Sequence, residues 1–257
     1  MRRASTVIVL RRSDNAILMV ERKSSNRAFA GAMVFPGGVE EDADSSWPKV
    51  EAAKVCALRE LFEETGMLVG KQATSATRAL QGPCNKDAAL FKGVYEEAEL
   101  NAAAARLKLW SVWVTPQQEK YRYHTTFFAL GVSDAEASAA VHDNVEVVSS
   151  HFATAETFLA RHARDELFLI PPTWVTLREL AGLGSVEKIM ASQRSATVIE
   201  PTLHRTAEQY CVCLPGDMNH SQSLPTAAGL RRVVIAPGQP FRWVDTIGNT
   251  TVPTSSL

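Results

Sequence analysis

The chain has 257 residues and a formal net charge of −1, with 46% hydrophobic and 21% charged residues. That is enough chain to bury a core, and it carries no global basic field to attract nucleic acid or an anionic membrane. No apolar run approaches the roughly 20 residues of a membrane helix, and the four cysteines (Cys56, Cys84, Cys211 and Cys213) are too sparse for a disulfide scaffold and read as reduced core thiols, which suit an intracellular compartment.

In chain order, residues 6–10 and 16–20 are β-rich runs on either side of Ser13-Asp14-Asn15, which predicts a hairpin that begins with a first strand rather than a secretory signal. Phe35-Pro36-Gly37-Gly38 marks a tight turn, and the acidic stretch 40–48 a loop. Residues 51–64 predict a helix. On a 3.6-residue wheel Glu60, Glu63 and Glu64 fall within one arc of about 100°, opposite Val55, Leu58 and Phe62. Gly66 is placed to close that helix in the left-handed conformation.

Residues 83–109 read as helical, and 111–115, 123–132 and 145–152 as strands. Thr154 caps a helix over 154–164, and Pro171-Pro172 breaks the chain before a helix over 174–183. Beyond residue 195 the pattern changes to short β-like runs at 210–214, 231–235 and 241–244. Cys211 and Cys213 would share a strand face, and no second pair completes a zinc site. Strands and helices mix without strict βαβ alternation, which predicts an α+β layered sandwich.

Three like charges on one helix arc repel each other. Alone, they are most simply a solvated acidic face; a hard divalent cation such as Mg²⁺, which prefers carboxylate oxygens and phosphates, would turn the repulsion into a binding site. The neighbours of the triplet decide between these. Glu51, then seven residues, then Arg59-Glu60-Leu61-Phe62-Glu63-Glu64-Thr65-Gly66-Met67 resembles the second part of the Nudix hydrolase signature, G-x5-E-x7-R-E-U-x-E-E-x-G-U with U apolar. The family glycine position holds Ser45; Gly38 is the candidate instead, which makes 39–50 a loop with a seven-residue insertion.

The resemblance implies that Glu60 and Glu64 are the leading ligands of Mg²⁺ or Mn²⁺. Glu63 is then a shared or second-metal ligand, and Arg59 orients a carboxylate through a charge-assisted bond. Glu51 is either a helix-start residue or a secondary ligand. For the general base, Glu146 competes with Glu63 and with the plain reading of an exposed strand residue.

A second motif precedes the box. Leu18, Arg22, Arg27, Gly31, Phe35, Pro36, Gly37 and Gly38 are similar to the upstream pattern of the coenzyme A diphosphatases of this family, with departures at Met19, Val20 and Lys23. Coenzyme A carries a diphosphate and a 3′-phosphate, and arginine forks bind phosphate oxygens in pairs. The split box, RYHTTFF, PPTWVTLREL and CVCLPGD together resemble the peroxisomal acyl-coenzyme A diphosphatase branch. The resemblance implies a Nudix-type α/β/α sandwich over 1–195 with a helical insertion at about 72–109, a C-terminal β-extension over 196–246, and a flexible tail over 247–257. The implied reaction is hydrolysis of coenzyme A or acyl-coenzyme A to 3′,5′-ADP and (acyl-)4′-phosphopantetheine. Its rivals are hydrolysis of another nucleoside diphosphate, such as ADP-ribose or NADH, and a non-catalytic nucleotide-binding module.

The final Ser255-Ser256-Leu257 resembles a peroxisomal address read by an import receptor, although the usual middle residue is lysine. The alternative is a frayed tail, and with it a cytoplasmic location.

Overall fold

The structure, a computed structural model, describes residues 1–23, 31–140, 147–194, 198–207, 209–222, 229–236, 239 and 241–246. Its organising strand is β1 (Arg2–Arg11). Alternation along it sends Val7 and Val9 into one core and Ile8 and Leu10 into another, all fully buried. β6 (Tyr123–Val132) does the same, with Phe128 and Leu130 on the first side and Phe127 and Ala129 on the second. A sheet that is apolar on both faces needs cover on both, and that requirement makes the α/β/α sandwich. One cover is α1 (Ala52–Thr65) with the insertion. The other is α6 (Ala155–Ala163), α7 (Pro171–Leu183) and α8 (Val186–Ala191).

The sheet forks, and the fork positions the site. β1 meets β2 (Ile17–Arg22) only at the hairpin end, Leu10 opposite Ile17. Beyond that point β2 pairs antiparallel with β7 (Val147–Ala153), while β1 pairs in parallel with β6 along its whole length. Past β6 the sheet continues to β5 (Lys108–Val114). Two short strands occupy the fork: β3 (Met33–Val34) on β2, and β4 (Gly37–Val39) on Ala4–Thr6 of β1. Phe35–Gly38 is thus the passage between these two strands, and its two glycines belong to β4 rather than to a bare turn.

Three further expectations are corrected. Residues 40–48 are more than a loop: a 3₁₀ helix over Asp42–Ser46 buries Asp44 completely. Residues 83–109 do not form one helix. The chain passes through α2 (Ser75–Arg78), α3 (Gln81–Cys84), a 3₁₀ helix (Ala88–Gly93) and α4 (Glu97–Ala105), and Lys108 already starts β5. Asp87 accepts from Ala89 N–H and Glu96 forms a capping box with Glu99, so capping chemistry divides the run. Pro171-Pro172 opens α7 instead of breaking the chain before it, because the first helical positions need no N–H.

The hairpin, the strand Tyr123–Val132, the Thr154 cap and the left-handed Gly66 (φ 65°) closing α1 all stand where the sequence puts them. The C-terminal runs form a separate four-stranded antiparallel sheet: β9 (Thr202–Arg205), β10 (Tyr210–Cys213), β11 (Arg231–Ile235) and β12 (Arg242–Asp245). Before it, β8 (Val198–Ile199) pairs with β5 at the edge of the main sheet. Val212, Leu214 and Val233 of this region join the second core cluster. Residues 247–257 lie outside the described residues.

Candidate active site

The acidic arc of α1 is not solvated. Glu60, Glu63 and Glu64 are 9%, 3% and 1% exposed, so the plain reading of a wet acidic face fails. Arg59, itself 2% exposed, organises the cluster. Its Nε and Nη2 fork the carboxylate of Asp44 at 2.9 and 3.0 Å, and its Nη1 donates to Glu60 Oε1 at 2.9 Å and Glu63 Oε2 at 3.0 Å. Nη2 also donates to the carbonyl of Val39 at 3.0 Å, which ties α1 to β4.

Burial works against the guanidinium charge, but Asp44, Glu60 and Glu63 raise its pKa and keep it a cation. For Glu63 the balance goes the other way. Burial raises its pKa to about 8, with Glu60 adding to the rise and Arg59 opposing it. Cys56, beneath Gly38, has its thiol pushed well above the ordinary value, first by burial and then by Glu60, so it is not a nucleophile.

The glycines of β4 fit against these carboxylates. Gly37 N–H donates to Glu64 Oε2 at 3.0 Å. A Cβ on Gly38 would stand 2.4 Å from the Glu60 carboxyl carbon, so only a residue without a side chain lets Glu60 reach its place. On their other side Gly37 and Gly38 line a cavity of about 780 Å³, together with Ser5, Thr6 and Arg22. The three glutamates do not themselves line it; they meet it through this glycine strip.

Three carboxylates share the one guanidinium, and Glu63 Oε1 is sealed from solvent with no hydrogen-bond partner among the described residues. An all-oxygen donor set with surplus negative charge and an unmet acceptor fits a hard divalent cation. Glu60 and Glu63 are turned onto Arg59, and among the described residues no three acidic, histidine or cysteine side chains already form a metal-holding group. Glu51 is exposed at the N-cap of α1 and makes no side-chain cap bond there.

Of the upstream motif, Arg22 lines the cavity at the end of β2, and its Nε is buried without a partner among the described residues. Gly31, at φ 70°, returns the chain by donating its N–H to Arg22 O at 3.1 Å; it shapes the Arg22 backbone and does not line the cavity. Arg27 and Glu146 lie outside the described residues. Sequence reasoning missed Asp44, whose only signal is its place in the insertion of the split box. It also missed the far wall of the cavity, which comes from α7 and the C-terminal sheet.

Known proteins resemble this chain in sequence and fold. The family model described as the NUDT19 Nudix domain matches residues 46–180. A Caenorhabditis elegans protein provisionally named nudix hydrolase 7 is 25% identical over 260 residues, covering 93% of this chain and 83% of its own length. The human acyl-coenzyme A diphosphatase NUDT19 is 27% identical over 203 residues; the match covers 68% of this chain and only 52% of the human protein. Among solved structures, a NUDIX hydrolase from Alicyclobacillus acidocaldarius superposes with a TM-score of 0.64 at 24% identity, covering 77% of this chain and 98% of that one, which supports the fold. With the family model spanning more than half its length, the chain belongs to the Nudix hydrolase family, in the group of the NUDT19 Nudix domain.

Proposed function

We propose that the protein hydrolyses the diphosphate of coenzyme A or acyl-coenzyme A in a reaction that needs Mg²⁺ or Mn²⁺. The observation that carries this is the glycine strip: Gly37 and Gly38 line the cavity on one side and contact Glu64 and Glu60 on the other. A diphosphate lying on that strip meets backbone with no side chain in the way, with the acidic cluster directly behind it. The names of the human and chicken relatives, both acyl-coenzyme A diphosphatases, support the substrate class; the chicken protein is 22% identical over 293 residues.

On this reading Glu60 and Glu64 hold the cation, with Glu63 shared or on a second ion. The bound cation supplies Lewis-acid polarisation of the phosphate and a lowered pKa for coordinated water. Arg59 keeps Glu60 and Glu63 from turning away and offsets their repulsion. Arg22 and Arg27 bind the phosphates, and Gly31 sets the backbone from which Arg22 reaches. Either Glu146, or Glu63 in its charged form, would take the proton from the attacking water; burial raises the Glu63 pKa to about 8, which opposes that form. In Glu63 the charged form would have to be favoured by the cation.

The test is turnover with and without Mg²⁺ or Mn²⁺ on coenzyme A, acyl-coenzyme A, ADP-ribose and NADH, with products identified by mass. The expected products are 3′,5′-ADP and the (acyl-)phosphopantetheine. Turnover of ADP-ribose or NADH in preference to coenzyme A would replace this substrate with another nucleoside diphosphate. No turnover of any of the four would leave a binding module.

A further inference from the structure

The signature spacing offers two residues for the first acid of the split box. Counted back from Arg59 across seven residues it is Glu51; counted forward from Gly38 across five it is Asp44. The fold separates them. Glu51 is exposed at the N-cap of α1 and makes no side-chain cap bond there. Asp44 is fully buried in the 3₁₀ helix, where Glu41 N–H donates to its Oδ2 at 2.9 Å, and it takes both Nε and Nη2 of Arg59. The seven extra residues, 45–51, thus fall between Asp44 and the start of α1 and leave that contact intact. The guanidinium has two working edges: Nε and Nη2 face Asp44, while Nη1 donates to Glu60 and Glu63. A cation that draws Glu60 and Glu63 onto itself takes both from Nη1. Arg59 is 2% exposed, so water cannot replace them, and a buried charge left without a counter-charge is strongly unfavourable.

We propose that Asp44, and not Glu51, is the first box acid of this chain, and that it is a positioning residue: it keeps Arg59 paired from the far edge, so that Glu60 and Glu63 are free to exchange the guanidinium for a divalent cation. The role rests on the proposed binding of Mg²⁺ or Mn²⁺ by the α1 glutamates. Asp44 acts through Arg59 and touches neither cation nor substrate. Without its charge, Glu60 and Glu63 are the remaining acidic partners of Arg59 among the described residues, and a cation has to compete with the guanidinium for them. Asparagine at position 44 keeps the shape and one acceptor oxygen but loses the charge. A charge-assisted bond is strong enough that this competition should weaken cation binding by about tenfold or more.

The experiment measures Mn²⁺ binding to the full chain by calorimetry, with no substrate present, for the parent and for Asp44→Asn, Glu51→Gln, Arg59→Gln and the double variant Asp44→Asn/Arg59→Gln. A merely structural Asp44 would lower the melting temperature and leave the Mn²⁺ affinity of the folded protein unchanged. Asp44→Asn is expected to bind Mn²⁺ about tenfold or more weakly, and Glu51→Gln within about twofold of the parent. With Arg59 replaced there is no guanidinium to compete, so adding Asp44→Asn should then change the affinity by less than about twofold. That last comparison decides the matter even if Asp44→Asn alone does not fold, because the double variant buries neither charge. Equal Mn²⁺ affinity in the parent and Asp44→Asn, or a loss of about tenfold from Glu51→Gln or from Asp44→Asn on top of Arg59→Gln, overturns the role and leaves the cation site standing. A parent that binds no Mn²⁺ overturns the cation reading, and the role with it.

Discussion

Gly37 and Gly38 are neighbours with different reasons to lack a side chain, and substitution separates them. A Cβ on Gly37 would meet backbone, Ser5 O at 2.4 Å and Thr6 Cα at 2.6 Å, which cannot move without opening the β1–β4 pairing. Gly37→Ala is expected to cost about 2–3 kcal/mol, seen as a melting temperature lower by roughly 5 °C or more. A Cβ on Gly38 meets only the carboxylate end of Glu60, which can swing aside. Gly38→Ala should therefore melt within about 2 °C of the parent yet lose about tenfold or more in kcat, since a displaced carboxylate is a misplaced ligand. Equal melting losses in the two variants would refute the distinction. Glu64→Gln keeps the shape and removes an anionic oxygen pair; on the proposed reaction it should lower kcat by at least about a hundredfold with an unchanged circular dichroism spectrum. Near-normal turnover at saturating Mg²⁺ would remove Glu64 from the ligands. At this scale the sequence showed the glutamates and the orienting arginine, because a helix fixes the spacing of side chains that share a face. It could not show Asp44, whose contact with Arg59 spans 15 residues and depends on how the insertion folds back.

Among elements, the base of the insertion is held by Glu136 and by a bond from Arg106 Nη2 to the carbonyl of Gly131 in β6 at 2.9 Å. Glu136, in the short helix α5 (Asp134–Ala137), accepts from Arg106 Nη1 at 2.6 Å and Nη2 at 3.1 Å, and from Gly70 N–H at 3.0 Å. Arg106 and Gly70 flank the two ends of the insertion, so Glu136 closes its base. Burial works to raise the Glu136 pKa, but the bonds from Arg106, Ser133 and Gly70 prevail and lower it to about 2, against an ordinary 4.5. A lowered carboxylate pKa stabilises the fold fully above about pH 4.5, and that contribution is lost as pH falls through about 2. Allowing for solvent screening, the clasp contributes about 1–2 kcal/mol at pH 7. Glu136→Gln should melt lower than the parent at pH 7, and the gap should close as both are titrated toward pH 2. A gap that persists in acid would mean that the charge is not what holds the insertion. The resemblance implied an insertion here, and residues 83–109 read as helix because Ala102–Ala105 and scattered charge suit one. The caps at Asp87 and Glu96 that divide it act through single backbone N–H groups, which no periodicity reveals. The strand Tyr123–Val132 was legible to the residue because aromatic and β-branched residues fill its first half and an apolar run its second.

At the scale of the molecule, the acidic helix and its glycine partner were readable as a motif, and the two-faced sheet as a fold class. The cavity was not, because its wall gathers residues from 4 to 241, and no local pattern encodes such convergence. Within the C-terminal sheet, Asp217 and Arg232 form a buried pair with two bonds, and Asp217 also takes the N–H groups of Arg231 and Asn219. Asp217→Ala strands the guanidinium and should cost about 3–5 kcal/mol. Ser255-Ser256-Leu257 lies outside the described residues, and we propose that it serves as an organelle address. A fusion with a fluorescent protein on the N-terminal side should collect in peroxisomes and disperse when Leu257 is deleted; an unchanged distribution on deletion would discard the address.

The parallel pairing of β1 with β6 has a consequence for how the molecule comes to exist. Arg2 lies beside Tyr123 and Arg11 beside Val132, a separation of 121 residues along the whole ladder. A strand with the run Val7-Ile8-Val9-Leu10 therefore leaves the ribosome well before its parallel partner has been made. At about 5–20 residues per second that delay is of the order of ten seconds. Throughout it this strand lacks its longest ladder, and only the hairpin contact with β2 and the short pairing with β4 are there to occupy it. Such a topology folds slowly for its size and is exposed to aggregation while it waits, so the yield of active protein from refolding should fall steeply with concentration, and synthesis in cells should depend on chaperones that shield an N-terminal strand.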